Sequence, residues 1–441
     1  MPRSRRRRLP EFPDPLRVER LADNGDGVAH CGEREIRIAG ALPGEVVRVS
    51  ARRRRKGYVQ CMSERIEEGV PERVEPFCPQ ALNCGGCTLQ HLDYDAQLLY
   101  KSRRLSDALE RVGVSAARTL APVTGPTRGY RRKARLGVRF VPKKGGVLVG
   151  FRESGSSLVT ETEFCPVLAP AVGERIGRLR ELVSRLSAPA RIPQIEVAVG
   201  DDAASVTIRH LEPMLDSDLA QLRAFSEETE IHVYLQSGGP QSVVKLAPDD
   251  GLDRLEYRLT AHGVRLRFHP LDFVQVNAPV NDAMVSQALS LLELEAGERA
   301  ADLFCGIGNF SLPMAATGAE VVGMEANAEL VSRARENCEY NGIADAVFST
   351  VDLYRDPLPE VVGELQCTKL LLDPPRSGAL QLVSQLALGR VERIVYVSCN
   401  RDTFARDARA LVDRGFELGA VGLVDMFPHT GHIESMGLFR R

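Results

Sequence analysis

The sequence predicts an α/β fold whose main part is a Rossmann-like, doubly wound and mainly parallel sheet. Apolar strands alternate with helices after about residue 272, which is typical of such a sheet. Before it, residues 14–67 show short strands separated by turn signals, and the region between mixes helices and strands. The 441 residues correspond to about three domains at ~150 residues each. We therefore expect an N-terminal OB-like β-barrel, a middle α+β domain and a C-terminal α/β domain.

The composition excludes several classes of protein. Hydrophobic residues make up 44% of the chain and charged residues 26%, close to the globular average, which excludes a largely disordered chain. No apolar run approaches the ~20 residues that a membrane span requires, and no apolar signal core follows the N-terminus. We expect a cytoplasmic protein, in which thiols bind metals or perform chemistry more often than they form disulfides.

The N-terminal barrel is predicted over residues 14–72, after a basic tail at 1–13 that we expect to be disordered. Four strands are predicted at 16–20, 35–38, 45–50 and 58–61, and a five-stranded barrel is the natural interpretation. The first 60 residues hold 15 Lys and Arg against 8 Asp and Glu. The runs Arg5 to Arg8 and Arg52 to Lys56 would attract phosphate backbones, or form a solvated tail and a charged loop.

The middle domain is predicted over residues 73–270. A helix is expected near 95–113, where it would pack on the C-terminal domain. Strands are predicted at 135–141, 147–152, 158–163, 195–199, 205–209 and 231–236, with helices at 171–186 and 216–229. This pattern does not indicate a function by itself.

The C-terminal domain, predicted over residues 271–441, begins with an amphipathic helix at 280–294. Strands follow at 299–304, 320–325, 370–373 and 394–398. The first strand leads into a turn with Gly306 and Gly308, and glycines at such a turn let a ligand approach the backbone. A dinucleotide site would have a third glycine at 311, where this chain has serine.

Two acids follow the next strands. Glu325, nineteen residues after Gly306, would accept hydrogen bonds from ribose hydroxyls, and Asp352 would meet an adenine amino group. The combination favours S-adenosyl-L-methionine (SAM) over a dinucleotide. The alternative is an ordinary α/β domain with acids on its loops.

Two further strands end in polar residues that suit chemistry on a base. Asp373 starts an Asp-Pro-Pro-Arg loop whose prolines restrict the backbone. Cys399 follows the last of these strands, where a lone cysteine is usually a small packing residue. A thiolate at C6 of uracil would activate C5 toward a methyl donor. Near the C-terminus we choose Glu434 as the base that removes the C5 proton, with His429 or His432 as alternatives.

Four motifs together resemble the RNA uracil-5-methyltransferases along nearly the whole chain. These are Asp-Leu-Phe-Cys-Gly-Ile-Gly-Asn-Phe at 302–310, Asp-Pro-Pro-Arg at 373–376, Ser-Cys-Asn at 398–400 and Met-Phe-Pro-His-Thr-Gly-His-Ile-Glu at 426–434. The resemblance implies a SAM methyltransferase domain with Cys399 as nucleophile and Glu434 as base. The SAM contacts that it implies are Gln275, Phe304, Asn309, Glu325, Asp352 and Asp373. Cys305, inside the turn, is expected to be a packing residue.

Four cysteines suggest an additional centre. Cys78, Cys84, Cys87 and the distant Cys165 supply four thiolates, enough for zinc or for a 4Fe-4S cluster. The spacing does not choose between them, whereas the family resemblance implies the 4Fe-4S cluster. The N-terminal barrel is similar to a TRAM domain, an RNA-binding barrel.

Within this family, a barrel together with a cluster resembles the enzymes that act on large-subunit ribosomal RNA. The resemblance therefore implies 23S ribosomal RNA as the partner, with no obligate protein partner and a monomeric state. The segment 130–133, with Tyr130 and three basic residues, would stack on and pair with single-stranded RNA. The competing hypotheses are an amino-group methyltransferase, which needs no covalent step, and a redox-sensing RNA-binding protein.

Overall fold

The structure is a computed structural model that describes residues 9–12, 14–250, 253–355, 366–386 and 388–441. The run Arg5 to Arg8 and most of the tail predicted at 1–13 lie outside the described residues. Contacts divide the chain into two units. Unit 1 comprises Met1–Tyr100, Phe151–Thr160 and Pro428–His432, and unit 2 comprises the remainder. The domain bounds predicted from the sequence stay a prediction. Among the described residues, no helix has the length and apolarity needed to cross a bilayer.

Unit 1 contains a six-stranded sheet with the order β1-β5-β6-β4-β3-β2. The strands are β1 (Leu16–Arg17), β2 (Arg20–Leu21), β3 (Gly27–Cys31), β4 (Arg34–Ala39), β5 (Val46–Arg54) and β6 (Tyr58–Glu68). Alternate residues of these strands form an apolar core that includes Ile36, Ile38, Val47 and Val59. Their period of two is that of strands with one buried face.

The strand count differs from the five-stranded expectation for a physical reason. The segment predicted as one strand at 16–20 changes partner halfway: Leu16 pairs with Val47 of β5, whereas Arg20 pairs with Val28 of β3. The strand β3, which pairs with β4, had no predicted counterpart. The N-terminal region is β-rich, as expected.

The first part of unit 2 is a mixed sheet with helices beside it. Its sheet order is β13-β12-β11-β10-β8-β9, and β14 and β15 form a separate hairpin. Helix α1 (Tyr94–Arg111) begins in unit 1 and continues into unit 2. The other elements are β7 (Arg118–Thr119), β8 (Lys133–Val141), β9 (Gly146–Gly150), α2 (Pro170–Gly173), α3 (Ile176–Arg185), β10 (Gln194–Val199), β11 (Ala204–Arg209), α4 (Asp216–Thr229), β12 (Ile231–Gln236), β13 (Val243–Ala247), β14 (Leu255–Leu259) and β15 (Val264–Phe268).

The prediction of a strand at 158–163 is wrong. The backbone there bonds locally: the N–H of Leu158 donates to Ser156 Oγ at 3.0 Å, and the N–H of Thr160 donates to Phe151 O at 2.8 Å. The helix predicted at 171–186 is divided into α2 and α3.

The second part of unit 2 is an eight-stranded sheet with the order β18-β17-β16-β19-β20-β22-β21-β7. Its elements are α5 (Ala278–Leu292), β16 (Arg299–Leu303), α6 (Ser311–Ala315), β17 (Glu320–Glu325), α7 (Ala328–Asn341), β18 (Ala346–Thr350), β19 (Lys369–Leu372), α8 (Leu380–Gln385), β20 (Arg393–Ser398), α9 (Arg401–Asp413), β21 (Glu417–Val424) and β22 (Glu434–Arg440). Strands β16 to β20 run parallel to one another, whereas β22 is antiparallel to β20 and β21.

This topology brings polar residues to one edge of the sheet. Strand order reverses between β16 and β19, and ligands bind outside the carboxyl ends of parallel strands at such a point. Because β22 is antiparallel to β20, its first residue lies at that same edge. Ser398 pairs with Ser435, so the register places Glu434 beside the residue that follows β20, which is Cys399.

Candidate active site

The turn after β16 has the geometry of a ligand-binding loop. Phe304 has φ 69°, Gly306 has φ 57° and Gly308 has φ 94°, a left-handed region that favours glycine and makes Phe304 unusual. The N–H groups of Phe304 and Cys305 both donate to Met324 O, at 2.9 and 3.0 Å. A Cβ on Gly306 would have nothing within 4 Å. The turn is therefore fixed to β17 on one side and open on the other.

Glu325 is held at this turn. Its Oε2 accepts from the N–H of Gly306 at 3.3 Å, and its Oε1 accepts from the N–H of Asn327 at 2.9 Å. The carboxylate at the end of β17 is half-buried and oriented before any ligand arrives. The nineteen-residue spacing thus corresponds to a direct contact.

Asp352 follows β18, beside an aromatic pair. The N–H of Tyr354 donates to Asp352 Oδ1 at 3.0 Å. The rings of Phe304 and Tyr354 lie 5.5 Å apart with 45° between their planes. Tyr354 Oη donates to Gly378 O at 2.8 Å, which fixes the ring. Sequence reasoning missed Tyr354, although an aromatic residue two positions after a candidate adenine ligand was a usable signal.

Helix α5 links the segment that contains Gln275 to the turn that contains Asn309. Gln275 is half-buried in the segment that enters α5, and the neighbouring Val276 O accepts from the N–H of Arg132 at 2.9 Å. Asn281 of α5 exchanges hydrogen bonds with Asn309, each 2.9 Å long. This helix therefore connects the Gln275 segment to the turn.

Three acids at the edge have raised pKa values. Burial raises the pKa of Asp302 to about 7, even though its Oδ2 accepts from Ser311 Oγ at 2.5 Å. Burial, together with Asp302, raises the pKa of Asp373 to about 7. Burial and then Asp373 raise the pKa of Glu434 to about 8. Sequence reasoning missed Asp302, although a charged residue inside an apolar strand could have indicated it.

Oxygen atoms of two of these acids are left without a partner. Glu434 is 4% exposed, and its Oε2 has no hydrogen-bond partner among the described residues. The Oδ1 of Asp302 is also buried and has no hydrogen-bond partner within the described part of the chain. Buried polar atoms normally have partners, so these oxygens have capacity for a bound molecule.

Cys399 is half-buried at the end of β20. Burial is the main cause that raises the pKa of its thiol, followed by the charges of Glu434 and Asp373, whereas Arg376 opposes them. The neighbouring Asn400 donates from Nδ2 to Arg376 O at 3.0 Å. This bond ties the loop after β19 to the loop after β20. Because burial and the two carboxylates outweigh Arg376, the thiol of Cys399 is protonated at neutral pH.

The alternative bases, His429 and His432, belong to unit 1. His429 is buried, its N–H donates to Gln97 Oε1 at 2.9 Å, and its Nδ1 lies 3.2 Å from Gln97 Nε2. Its ring contacts Phe77 edge-on with 5.0 Å between centroids. His432 is exposed. The packing of His429 suits a residue that orients its loop.

Three of the four candidate cluster ligands lie in unit 1 and Cys165 lies in unit 2. Cys78, Cys84 and Cys87 are half-buried, and the N–H of Gly86 lies 3.4 Å from Cys84 Sγ. The N–H of Gly85 donates to Arg152 O at 2.8 Å, and a Cβ there would lie 3.0 Å from the same oxygen. A small residue and an N–H directed at sulfur fit a thiolate ligand. Within the described ranges, no group of three or more His, Cys, Asp or Glu is arranged to hold a metal ion.

The RNA-stacking role predicted for Tyr130 is wrong for this structure. Tyr130 is 4% exposed, so its ring faces are covered. Lys133 Nζ donates to Pro270 O, and Arg132 pairs with Asp201 at 2.5 Å. An aromatic residue followed by three basic ones can equally well anchor a strand in its own domain.

Comparisons with known proteins identify relatives of nearly the whole chain. The family described as tRNA (Uracil-5-)-methyltransferase matches residues 201–354 and 358–441. A Hahella chejuensis protein named 23S rRNA (uracil(1939)-C(5))-methyltransferase RlmD is 45% identical over 442 residues, covering 99% of each chain. An Alkalilimnicola ehrlichii protein of the same name is 47% identical over 439 residues, covering 99% of this chain and 98% of its own.

A solved structure extends the match to the fold. It is the Pyrococcus abyssi tRNA (uracil-54, C5)-methyltransferase in complex with S-adenosyl-L-homocysteine, with a TM-score of 0.72 and 25% sequence identity. The match covers 96% of this chain and 100% of the other. Over its length this chain has the fold of a SAM-dependent methyltransferase with a β-rich N-terminal region. Together with the family match and the full-length relatives, this shows that the chain belongs to the tRNA (uracil-5-)-methyltransferase family.

Proposed function

We propose that this protein transfers a methyl group from SAM to C5 of a uridine in 23S ribosomal RNA, giving 5-methyluridine. The relatives that match nearly the whole chain carry that activity in their names. The observation that carries the chemistry is the register of β20 and β22, which puts Cys399 and Glu434 at one edge with Asp373 beside them.

The residues at this edge fit SAM. When bound, SAM supplies a methyl group that is electrophilic because it is attached to a sulfonium. Glu325 would accept from the ribose hydroxyls and Asp352 from the adenine amino group. Phe304 provides an aromatic surface, and Gln275 and Asn309 provide amides. The carboxylate of Asp373 would face the positive end of the cofactor and would also contact the uracil.

Cys399 would begin the reaction. Its sulfur, as thiolate, forms a bond to C6 of the uracil ring, and the electrons of the C5–C6 double bond then make C5 nucleophilic. The raised pKa of the thiol means that ionisation has to be promoted when substrates bind. Arg376 is the neighbouring group that acts in this direction.

Glu434 would complete the reaction as the base. C5 would take the methyl group as its bond to the sulfonium breaks, which leaves S-adenosyl-L-homocysteine. A carboxylate oxygen of Glu434 would then take the C5 proton. The electrons of that C–H bond restore the C5–C6 double bond, and the bond from C6 to Cys399 breaks. A base with a raised pKa is well matched to removing a proton from carbon. A positive charge bound nearby would lower the pKa of Glu434 and ionise it in time for this step.

We further propose that the N-terminal region, residues 14–72, is a TRAM domain, that 73–270 form the middle domain and 271–441 the methyltransferase domain. Cys78, Cys84, Cys87 and Cys165 would ligate a 4Fe-4S cluster that shapes the RNA-binding surface. Iron and sulfide analysis of anaerobically purified protein tests this assignment, with Cys78→Ser as the comparison. A cytoplasmic monomer that binds 23S ribosomal RNA is the corresponding proposal for its location and partner.

The covalent step is tested with RNA that contains 5-fluorouracil. Fluorine cannot leave C5 as a proton, so Glu434 cannot complete the reaction and the protein–RNA adduct should persist on a denaturing gel. Mass spectrometry of the digested adduct should find the RNA on Cys399. Enzyme that methylates ordinary RNA but gives no adduct would contradict the mechanism. An amino-group methyltransferase would retain activity in Cys399→Ser, and a redox-sensing RNA-binding protein would show no methyl transfer.

A further inference from the structure

Among the residues that the structure describes, Asn309 makes three of the four hydrogen bonds that its side-chain amide can make. Its Oδ1 accepts from Tyr257 Oη and from Asn281 Nδ2, both at 2.9 Å. Its Nδ2 donates to Asn281 Oδ1 at 2.9 Å. An amide oxygen has two lone pairs and an amide nitrogen two protons. The remaining capacity of Asn309 is therefore one N–H and no acceptor.

The two partners of Asn309 are themselves fixed. Tyr257 is on β14, is 6% exposed and packs at 5.8 Å from the ring of Phe268. Burial raises the pKa of its phenol, which keeps it a donor. Asn281 is on α5 and is 2% exposed. Neither partner lies in the turn that carries Asn309, so the amide is oriented from two other elements.

We propose that Tyr257 and Asn281 are positioning residues that direct the remaining N–H of Asn309 toward the carboxylate of bound SAM. The inference rests on the proposed function, because it assumes that SAM is the cofactor. Tyr257 and Asn281 lie outside the site motifs, and their hydrogen bonds decide that Asn309 meets the cofactor as a donor.

The strand order indicates which part of SAM meets Asn309. Asp352 follows β18, Glu325 ends β17 and Asn309 follows β16, three neighbouring strands. Adenine and ribose at the first two positions leave the amino-acid end of SAM for the third. The acids at that end, Asp302 and Asp373, suit positive groups. A carboxylate can only accept hydrogen bonds, and an amide whose oxygen is already used offers it a donor without a competing acceptor.

The test compares two ligands by calorimetry with the full-length protein. S-adenosyl-L-homocysteine carries the amino-acid carboxylate, and 5′-methylthioadenosine lacks the whole amino-acid end. Tyr257→Phe should weaken binding of S-adenosyl-L-homocysteine by about 5- to 10-fold, the effect of one hydrogen bond. It should change binding of 5′-methylthioadenosine by less than about twofold.

Asn309→Asp gives a sharper result. The aspartate can still accept from Tyr257 and Asn281 but places a negative charge where a donor is needed. We expect a loss of about 100-fold or more for S-adenosyl-L-homocysteine and a much smaller loss for 5′-methylthioadenosine. In an Asn309→Ala background, Tyr257→Phe should have no further effect, because a positioning residue acts through the residue that it positions.

Tyr234→Phe is the matched control. Tyr234 is a buried tyrosine on β12 whose hydroxyl has no hydrogen-bond partner in the described part of the chain. This variant should bind both ligands as wild type does, and thermal melts should show that all variants are folded. Equal losses for both ligands, or none, in Tyr257→Phe would overturn the inference while leaving the proposed function intact. Wild-type protein that binds neither ligand would overturn the proposed cofactor itself, and this inference with it.

Discussion

Cys305 and Cys399 follow parallel strands at the same edge of one sheet, yet their surroundings differ. Cys305 is 4% exposed in the turn after β16, and its sulfur lies 3.1 Å from where a Cβ on Gly323 would be. Cys399 is half-buried after β20. The two cysteines therefore share residue type and strand-end position, and the proposed nucleophile, Cys399, is the more exposed of the two.

The charges around the two thiols add to this difference. Burial raises the pKa of both thiols, and carboxylates raise it further in each case. Only for Cys399 does a cationic side chain, Arg376, act in the opposite direction. Its loop is also tied by Asn400 to the Asp-Pro-Pro-Arg loop. Cys399 thus has a neighbouring cation that favours its thiolate, and its loop is held beside the acids.

The largest expected effect comes from removing each sulfur in turn. Cys399→Ala should abolish methyl transfer, a loss of about 10⁴-fold or more, because alanine has no sulfur for the proposed covalent step. Cys305→Ala should retain activity within about tenfold, since it removes only packing atoms. Transfer of radiolabelled methyl groups to RNA measures both. Equal losses in the two variants, with both proteins folded, would contradict the distinction between the two turns.

Glu434→Gln should have the next largest effect. Glutamine keeps the shape of the side chain but cannot take the C5 proton, so we expect turnover to fall about 10²- to 10⁴-fold. The covalent RNA adduct should accumulate with ordinary uridine, visible on a denaturing gel. The double variant with Cys399→Ala should give no adduct. Normal turnover in Glu434→Gln would assign the base to another residue, with His429 the first alternative.

The sequence predicted the framework of this edge well because its signals are local. Strand periodicity and the glycine turn located β16 and β17 to within one residue, and Glu325 ends β17 as predicted. Its contact with the N–H of Gly306 was not predicted. The Ser-Cys-Asn and Asp-Pro-Pro-Arg motifs lie at strand ends where α/β topology places reactive groups.

The features that sequence reasoning missed depend on long-range pairing. The proximity of Glu434 to Cys399 follows from β22 being antiparallel to β20, a pairing that no local pattern shows. Tyr257, fifty-two positions from Asn309, reaches it from a separate hairpin. The change of partner within 16–21 likewise has no local signature. Burial of Tyr130 is decided by packing, whereas its sequence context suggested exposure.

The smallest expected effect is on stability and tests the electrostatic side of the comparison. Burial raises the pKa of Glu434 from its ordinary 4.5 to about 8 in the folded protein. Between these pH values the folded state binds a proton that the unfolded state has lost, so the free energy of unfolding falls as pH rises.

Glu434→Gln removes this dependence of the free energy of unfolding on pH. We expect the variant to match wild type near pH 5 and to exceed its free energy of unfolding near pH 8 by on the order of 3 to 4 kcal/mol. Urea unfolding of ligand-free protein at both pH values measures the difference. Cys305→Ala should keep the wild-type pH dependence, because its thiol is protonated throughout this range. A Glu434→Gln curve parallel to wild type would mean that Glu434 is already ionised at neutral pH, and that a bound positive charge is not needed to prepare the base.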